Sequence, residues 1–437
     1  MRGDVDLGFA TAASITAFRS NEGLAIADLD ASPANLVTFV NNVNQATFTQ
    51  EFQLASTTST GIQWIGGLFL YFDDAALDPT TQMAAPFANL PQSTRVLYDR
   101  QDTQSYAPFG QVTIPFLADT TRLTVGARYT ADKRSFEYRI QTVTGAISSS
   151  ANPPPSTWPK LTWRLSLDHD FAPDILGYVS YNRGFKSGNY NLNGPTQPPV
   201  FPEVIDAYEI GMKTELFDGR ARLNWSAYYY DITDKQVQSA TLGGNIQTNA
   251  AAAEHKGIDV DLMFLPTEHL TVAMGLAFLD AKYTKFPGAT FNFPCLTPTT
   301  APACAASVNG GGYYSLFQDA SGLRPHYTER STGTLSVNYT VPASFGDLQF
   351  IGSVAYHDGF FFDVQNILEQ PSYTIANASV VWSAPSDKWD VTLWGKNLTG
   401  EEYFAQQQVN QNGAVYAPQP PRSYGITFGY HFDNRGM

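Results

Sequence analysis

From Leu216 to Asp234 the chain reads LFDGRARLNWSAYYYDITD. After the turn-forming Phe217-Asp218-Gly219-Arg220 the side chains alternate. Ala221, Leu223, Trp225, Ala227 and Tyr229 share one face, and Arg222, Asn224, Ser226, Tyr228 and Tyr230 share the other. A period of two predicts a strand with one apolar and one polar face. The pattern recurs in RLTVGARYT, where Leu123, Val125, Ala127 and Tyr129 align, and in HLTVAMGLAF, where Leu270, Val272, Met274, Leu276 and Phe278 do. In GIDVDLMF, Ile258, Val260, Leu262 and Phe264 oppose Gly257, Asp259, Asp261 and Met263. In SYGITFGYHF, Tyr424, Ile426, Phe428, Tyr430 and Phe432 oppose small or polar residues.

About sixteen such strands are predicted, near 11–19, 47–56, 62–72, 103–116, 121–140, 160–168, 175–184, 204–216, 221–240, 250–264, 270–283, 330–339, 347–358, 373–383, 389–397 and 422–432. Their links alternate between short and long. The short ones (TTSTG, LADT, HDFAPD, FDGR, LPTEH, VPASFG and APSDK) have turn composition. The long ones span roughly 20–46, 73–102, 141–159, 185–203, 241–249, 284–329, 359–372 and 398–421. Long loops at one rim and tight turns at the other are the layout of outer-membrane barrels, and a soluble sandwich has no reason to keep it. Several strands exceed the ~9–11 residues that cross a bilayer, so they are expected to project above it.

Composition sharpens this picture. Charged residues are 15% and aromatics 14% of 437 residues, against roughly 25% charged in an ordinary soluble domain. No apolar run of about 18 residues, such as a membrane helix needs, occurs. The fold class expected is therefore all-β, a transmembrane antiparallel β-barrel over 1–432 with a C-terminal tail at 433–437. Its outward side chains are expected to meet outer-membrane lipid. A net charge of -14 excludes nucleic acid as a partner. The N-terminal MRGDVDLGFATAAS lacks the apolar core of a signal peptide and carries Asp4 and Asp6. A barrel bound for an outer membrane requires such a signal, so the chain is expected to lack its beginning.

Longer motifs resemble a known family. FPEVIDAYEIGMKTELFDGRARLNWSAYYYDITDKQVQ is similar to the mid-barrel region of TonB-dependent outer-membrane receptors, and YVSYNRGFKSGNYN to the segment before it. AAEHKGIDVDLMFLPTEHLTVAMGLAFLDAKYTKF resembles the next hairpin, and VTLWGKNLTGEEYF and PPRSYGITFGYHF the closing strands. These motifs occur in family order over nearly the whole chain. The resemblance implies a barrel of about 22 strands around an N-terminal plug with a TonB-contacting box. No plug or box precedes Asp4, which implies either a truncated chain or a plug encoded separately. It also implies a terminal aromatic read by the barrel-assembly machinery, here Phe432, although DNRGM follows it.

As the resemblance implies, apical loops close over the ligand. The candidates are Arg183, Phe185 and Tyr190 in one loop, Tyr313, Tyr314, Arg324 and Tyr327 in another, and Phe360, Phe361 and Phe362 in a third. Aromatic and Arg contacts suit catechol or chelate-type ligands, while the same aromatics also suit loop packing or a girdle. Cys295 and Cys304, in a Pro- and Thr-rich loop, suggest a local disulfide. Catalysis and cofactors find no support. No G-x-S-x-G, phosphate-binding loop or Rossmann glycine pattern occurs, and the six histidines show no ligand spacing. Asp259 and Asp261 are expected to line a wet lumen.

Three functions compete. The first is the barrel of a TonB-dependent receptor for a ferric siderophore or similar large nutrient, not transport-competent alone because transport needs the plug. The second is a passive porin-like channel of sixteen strands, and the third a membrane-binding or enzymatic barrel.

Overall fold

The structure, a computed structural model, describes residues 1–28, 37–58, 60–84, 95–142, 144–192, 194–241, 244–250, 252–294, 313–386, 388–410 and 413–432. Every regular element among them is a strand. β1 (Arg2–Asp6), β2 (Ala10–Asp28), β3 (Val37–Ser56), β4 (Gln63–Ala84), β5 (Arg95–Phe116) and β6 (Thr121–Thr142) open an antiparallel meander, and β7 (Ile147–Ala151) is a spur on the upper end of β6. β8 (Ser156–Ala172), β9 (Ile175–Lys186), β10 (Glu203–Leu216) and β11 (Ala221–Thr233) continue it. The separate hairpin of β12 (Gln236–Thr241) and β13 (Gly244–Asn249) follows, and β14 (Ala252–Thr267) and β15 (Leu270–Lys285) rejoin the sheet. A second hairpin pairs β16 (Ala289–Pro294) with β17 (Tyr313–Gln318). After β18 (Ser331–Val341) and β19 (Asp347–His357), the short β20 (Phe360–Phe361) and β21 (Glu369–Gln370) pair. β22 (Tyr373–Ser383) and β23 (Trp389–Lys396) lead to a hairpin of β24 (Phe404–Asn410) and β25 (Gly413–Pro418), and β26 (Ser423–Tyr430) ends the sheet.

Each predicted strand has a counterpart in this sheet, but the boundaries differ. β2 to β6 run 19–22 residues, so the expected loops at 20–46 and 73–102 are largely paired strand standing above the membrane. The expected strand 221–240 is two strands. Asp234 adopts a left-handed φ of 51°, and the chain leaves the main sheet for its own hairpin. β1 has no predicted counterpart. It pairs with the lower part of β2, from Arg2↔Ile15 to Asp6↔Thr11.

The tight turn at the opening stretch forms as read, with φ of 56°, 56° and 80° at Phe217, Asp218 and Gly219 and the Arg220 N–H bonded to the Phe217 carbonyl at 3.2 Å. Above it the register runs Tyr208↔Tyr229 and Met212↔Trp225 on one side and Ala227↔Ile258 and Trp225↔Val260 on the other. The apolar side chains of neighbouring strands therefore lie on one surface. Val125, Leu165, Val179, Ile210 and Phe278 stay 42–51% exposed there. An apolar surface this extensive is not water-solvated in a stable fold. Aromatics bound it above: Phe48–Phe72, Phe72–Tyr106, Tyr181–Tyr208 and Tyr208–Tyr229 have ring centroids 4.7–6.3 Å apart. Below, Trp389, Tyr430 and Phe432 form a second cluster. Tyr106 and Phe116 are ten residues apart on β5, roughly 34 Å of strand, which a tilt near 40° shortens to about the 25 Å of an outer-membrane apolar band.

On the inner face glycines sit beneath tyrosines. Tyr178 lies against its strand partner Gly211, and Tyr228 against Gly257. A ring covering a glycine restores the packing that the glycine lacks.

Among the described residues no pairing joins β1 to β26. The edge position shows in the exposure of β26, where Ile426 is 61% and Phe428 75% exposed. The sheet has eighteen strands, and with the spur β7 set aside its antiparallel succession leaves β1 and β26 parallel. All-antiparallel closure therefore requires an odd number of further strands. A sixteen-stranded closure of β2 onto β26, which the channel alternative needs, is blocked where β1 occupies Thr11–Ile15.

A Cβ at Gly257 would collide with the Tyr228 hydroxyl and lie 2.7 Å from the Phe278 carbonyl oxygen, whereas nothing lies within 4 Å of one at Gly352. Gly257→Val is expected to cost about 1–3 kcal/mol and Gly352→Val little, read as urea midpoints in detergent. Amide exchange should find Ser423–Tyr430 orders of magnitude less protected than the doubly paired β4.

Candidate functional site at the lumen wall and mouth

The polar face of the opening strand forms part of an inner wall. The Tyr178 hydroxyl donates to Glu209 Oε1 at 2.6 Å, and the Tyr228 and Tyr230 rings stack 4.7 Å apart. Asp259 and Asp261 pair in register with Ser226 and Asn224, so both face the lumen as expected. On β6 and β8 the same face carries cations. Arg128 lies over Phe69 and Phe109, Arg134 donates to Asn189 Oδ1 at 2.6 Å, and Arg164 pairs with Gly126. Further round, Ala273, Gly275, Thr334 and Ser336 make a small, uncharged stretch. The lumen wall thus carries charges of both signs on β6 to β14 and a small, uncharged stretch on β15 and β18.

Apical segments close over the wall from above. The segment after β9 spans the mouth as a strap. The Tyr190 N–H donates to Gln101 Oε1 at 3.2 Å, its ring stacks 4.9 Å from Phe136, and its hydroxyl shares a 2.9 Å bond with Ser156 Oγ. At its far end, Asn191 Oδ1 accepts from the Gln247 N–H at 2.6 Å, and Asn191 Nδ2 donates to the Gln247 carbonyl at 3.2 Å. On the opposite side Ile232, Val237, Ala253, Tyr283, Phe286 and Phe291 form a buried cluster that holds the apical hairpins to the barrel rim.

A third unit joins two loops. Arg324 Nη1 donates to the Gly359 carbonyl at 2.8 Å, with the guanidinium 5.1 Å from the Phe361 ring centroid. Asn366 clasps the Arg324 backbone through bonds of 3.1 and 2.9 Å. The Tyr327 N–H donates to the Phe361 carbonyl at 2.7 Å, and its ring contacts Phe360 and Phe362, at 5.9 and 5.5 Å. Phe362 is buried, while Tyr327 is 54% exposed.

The proposed ligand residues therefore separate. Arg183 and Phe185 lie on β9, not in a loop, and Arg183 faces away from the lumen. Its Nε donates to Asp206 Oδ1 at 2.8 Å, beneath which Tyr181 also donates, and its guanidinium stacks 4.5 Å from Trp163. This correction follows from alternation: Arg183 shares the face of Tyr181 and Val179, the lipid side, where it anchors the girdle. Tyr190 is 4% exposed and acts as a packing residue of the strap. Tyr314 packs on Phe293 at 5.7 Å within the β16–β17 hairpin. Only the backbone of Tyr313 is described, and Cys295, Cys304 and residues 433–437 lie outside the described residues. Arg324, Tyr327 and Phe360–Phe362 come together. The sequence reading missed Gln101, Asn191, Gln247 and Asn366, the amides that tie these segments. Asn366 has a left-handed φ of 61°, a position that Asn tolerates, and its place in a loop was the one local signal.

Asp99 belongs to the paired region above the girdle. It is 3% exposed, and neither carboxylate oxygen has a hydrogen-bond partner among the described residues. Burial pushes its pKa up to about 7; the Leu77 backbone opposes this without reaching bonding geometry, and Asp78 adds repulsion.

The family described as "TonB dependent receptor-like, beta-barrel" matches residues 3–398. The pesticin receptor of Yersinia enterocolitica is 23% identical over 317 residues, 71% of this chain and 41% of the relative. The metal-pseudopaline receptor of Pseudomonas aeruginosa is 23% identical over 241 residues, 53% of this chain and 32% of the relative. Among solved structures, the ferric yersiniabactin uptake receptor FyuA of Yersinia pestis has a TM-score of 0.79 at 17% identity, covering 99% of this chain and 60% of that one. The siderophore receptor PiuA of Acinetobacter baumannii has a TM-score of 0.71 at 15% identity, covering 98% of this chain and 63% of that one. The chain thus spans less than half the length of the curated relatives it matches.

The folded pKa of Asp99 lies above its ordinary value of 3.8, so the folded state binds more protons and stability falls as pH rises from about 4 to about 7. Asp99→Asn should abolish that slope. Above pH 7 it should protect the amides of Arg95–Asp102 by up to about 4 kcal/mol relative to wild type, measured by hydrogen exchange at pH 5 and 8.

Proposed function

The chain belongs to the TonB-dependent receptor β-barrel family, and on that premise we propose that it forms the wall and mouth of a receptor for a metal–siderophore chelate. Members of this family are outer-membrane receptors and transporters rather than enzymes. The names of its relatives support the ligand class. They include a ferric yersiniabactin receptor, a siderophore receptor and a metal-pseudopaline receptor. The observation that carries the reading is the exposed Tyr327 ring packed on Phe360 and Phe362, with the Arg324 guanidinium on Phe361 of the same segment. A flat aromatic and a guanidinium suit a planar, anionic chelate.

Energy for uptake would reach the ligand through TonB and a plug, and the open edges support completion of the barrel by an odd number of strands. An unpaired edge costs several kcal/mol per backbone group in hydrocarbon. A plug and further strands would complete the receptor, and the barrel-assembly machinery would read Phe432, which stands 85% exposed. Arg183 is withdrawn from the ligand set. The passive sixteen-stranded channel finds no support in an edge that β1 already occupies.

Ferric chelate binding to outer membranes that carry the protein tests the reading. Tyr327→Ala should weaken binding about tenfold, on the order of 1.4 kcal/mol, while Arg183→Ala should leave it unchanged. Chelate binding that Tyr327→Ala leaves unchanged would overturn the reading.

A further inference from the structure

On the face turned away from the mouth, the projecting strands β2 to β7 enclose a cavity of about 780 Å³. The ladder register places two rows of its lining side chains on one surface. One row crosses the sheet as Glu22, Asn44, Ala76, Arg100 and Glu137, and another as Tyr98, Arg139 and Ser150. A single cavity touching six adjacent strands requires this face to be concave, as strong twist makes long hairpins. The rim sits at a defined height. Ser20, Ala46 and Asp74 are each two residues above Phe18, Phe48 and Phe72 of the upper girdle. From there the cavity climbs to Asp78, roughly 20 Å along the strand from Phe72.

We propose that this cavity holds the neutral sugar headgroup of a glycolipid in the surrounding outer leaflet. The lining suits hydroxyl groups, which both donate and accept. Carboxylates and the Asn44 and Asn152 amides alternate with Arg100 and Arg139, and the Arg139 guanidinium lies 4.5 Å from the Tyr98 ring centroid as a flat plate. Charge selects against phosphate. Glu22, Asp78 and Glu137 make no ion pair among the described residues, and Arg100 is already paired with Asp74. Height selects against a partner from bulk solvent, because the lower rim is level with the lipid headgroups.

Native mass spectrometry of the protein extracted from outer membranes tests this. Wild type should retain glycolipid with an intact neutral core sugar and lose at least tenfold of it when the cells make glycolipid ending at lipid A. The Asn44→Ala/Arg139→Ala variant should lose retention to the same degree. The Glu22→Gln/Asp78→Asn variant keeps hydrogen bonding and removes charge, so it should stay within threefold of wild type. Equal retention of the truncated glycolipid, or wild-type retention by the first variant, overturns the proposal. A tenfold loss in the second variant, with binding of a polylysine peptide to wild type, also overturns it in favour of a basic polypeptide.

Discussion

Backbone hydrogen bonds govern this molecule. In hydrocarbon an unpaired N–H or C=O has no water to turn to, so each spanning strand must be bonded on both sides. That requirement accounts for the long ladders from β2 through β23, in which registers run almost without interruption. It also makes the two edges the least self-sufficient part of the structure. The interior strands share their exposure with neighbours, and β26 cannot.

Continuous pairing has a second consequence. With the ladder in place, every side chain is assigned to lipid or lumen by parity alone. The outward set is apolar between two aromatic girdles, and the inward set is polar. Near the upper girdle the same parity assigns Arg183 to the headgroup zone and Glu209 to the lumen, although they belong to adjacent strands. The outward face does not end at the bilayer. It continues as a polar, concave surface on the long hairpins, so one sheet serves lipid, headgroup and solvent in succession.

The mouth follows different rules. Its segments are held by a few amide clasps and aromatic contacts rather than by ladders. Gln101 meets Tyr190, Asn191 meets Gln247, and Asn366 meets Arg324. Most of the aromatics there are engaged in this packing, and Tyr327 is the exposed ring packed on Phe360 and Phe362. The aromatic-rich loops are therefore a framework first, and ligand contact is left to the few side chains that the framework does not use.

Much of the fold was legible in the residues themselves. Alternation located the spanning strands, turn chemistry located the lower rim, and low charge with exposed apolar faces identified the lipid side. These are local properties, written at a spacing of two residues. The extension of β2 to β6 beyond the membrane was less legible, because both faces of those segments mix apolar and polar residues. The candidate site was legible only as composition. Tyr190 packs against Phe136 and Gln101 from far along the chain, and no periodic pattern connects them. Arg183 could have been assigned to the lipid side by counting from Tyr181, and a loop boundary set at 185 obscured that count. What the chain determined by itself was which surface meets lipid, since that depends on neighbours two residues away. Tertiary structure alone decided which loop residues pack and which face the mouth, and whether the edges meet, because those contacts are made between segments whose sequences carry no record of one another.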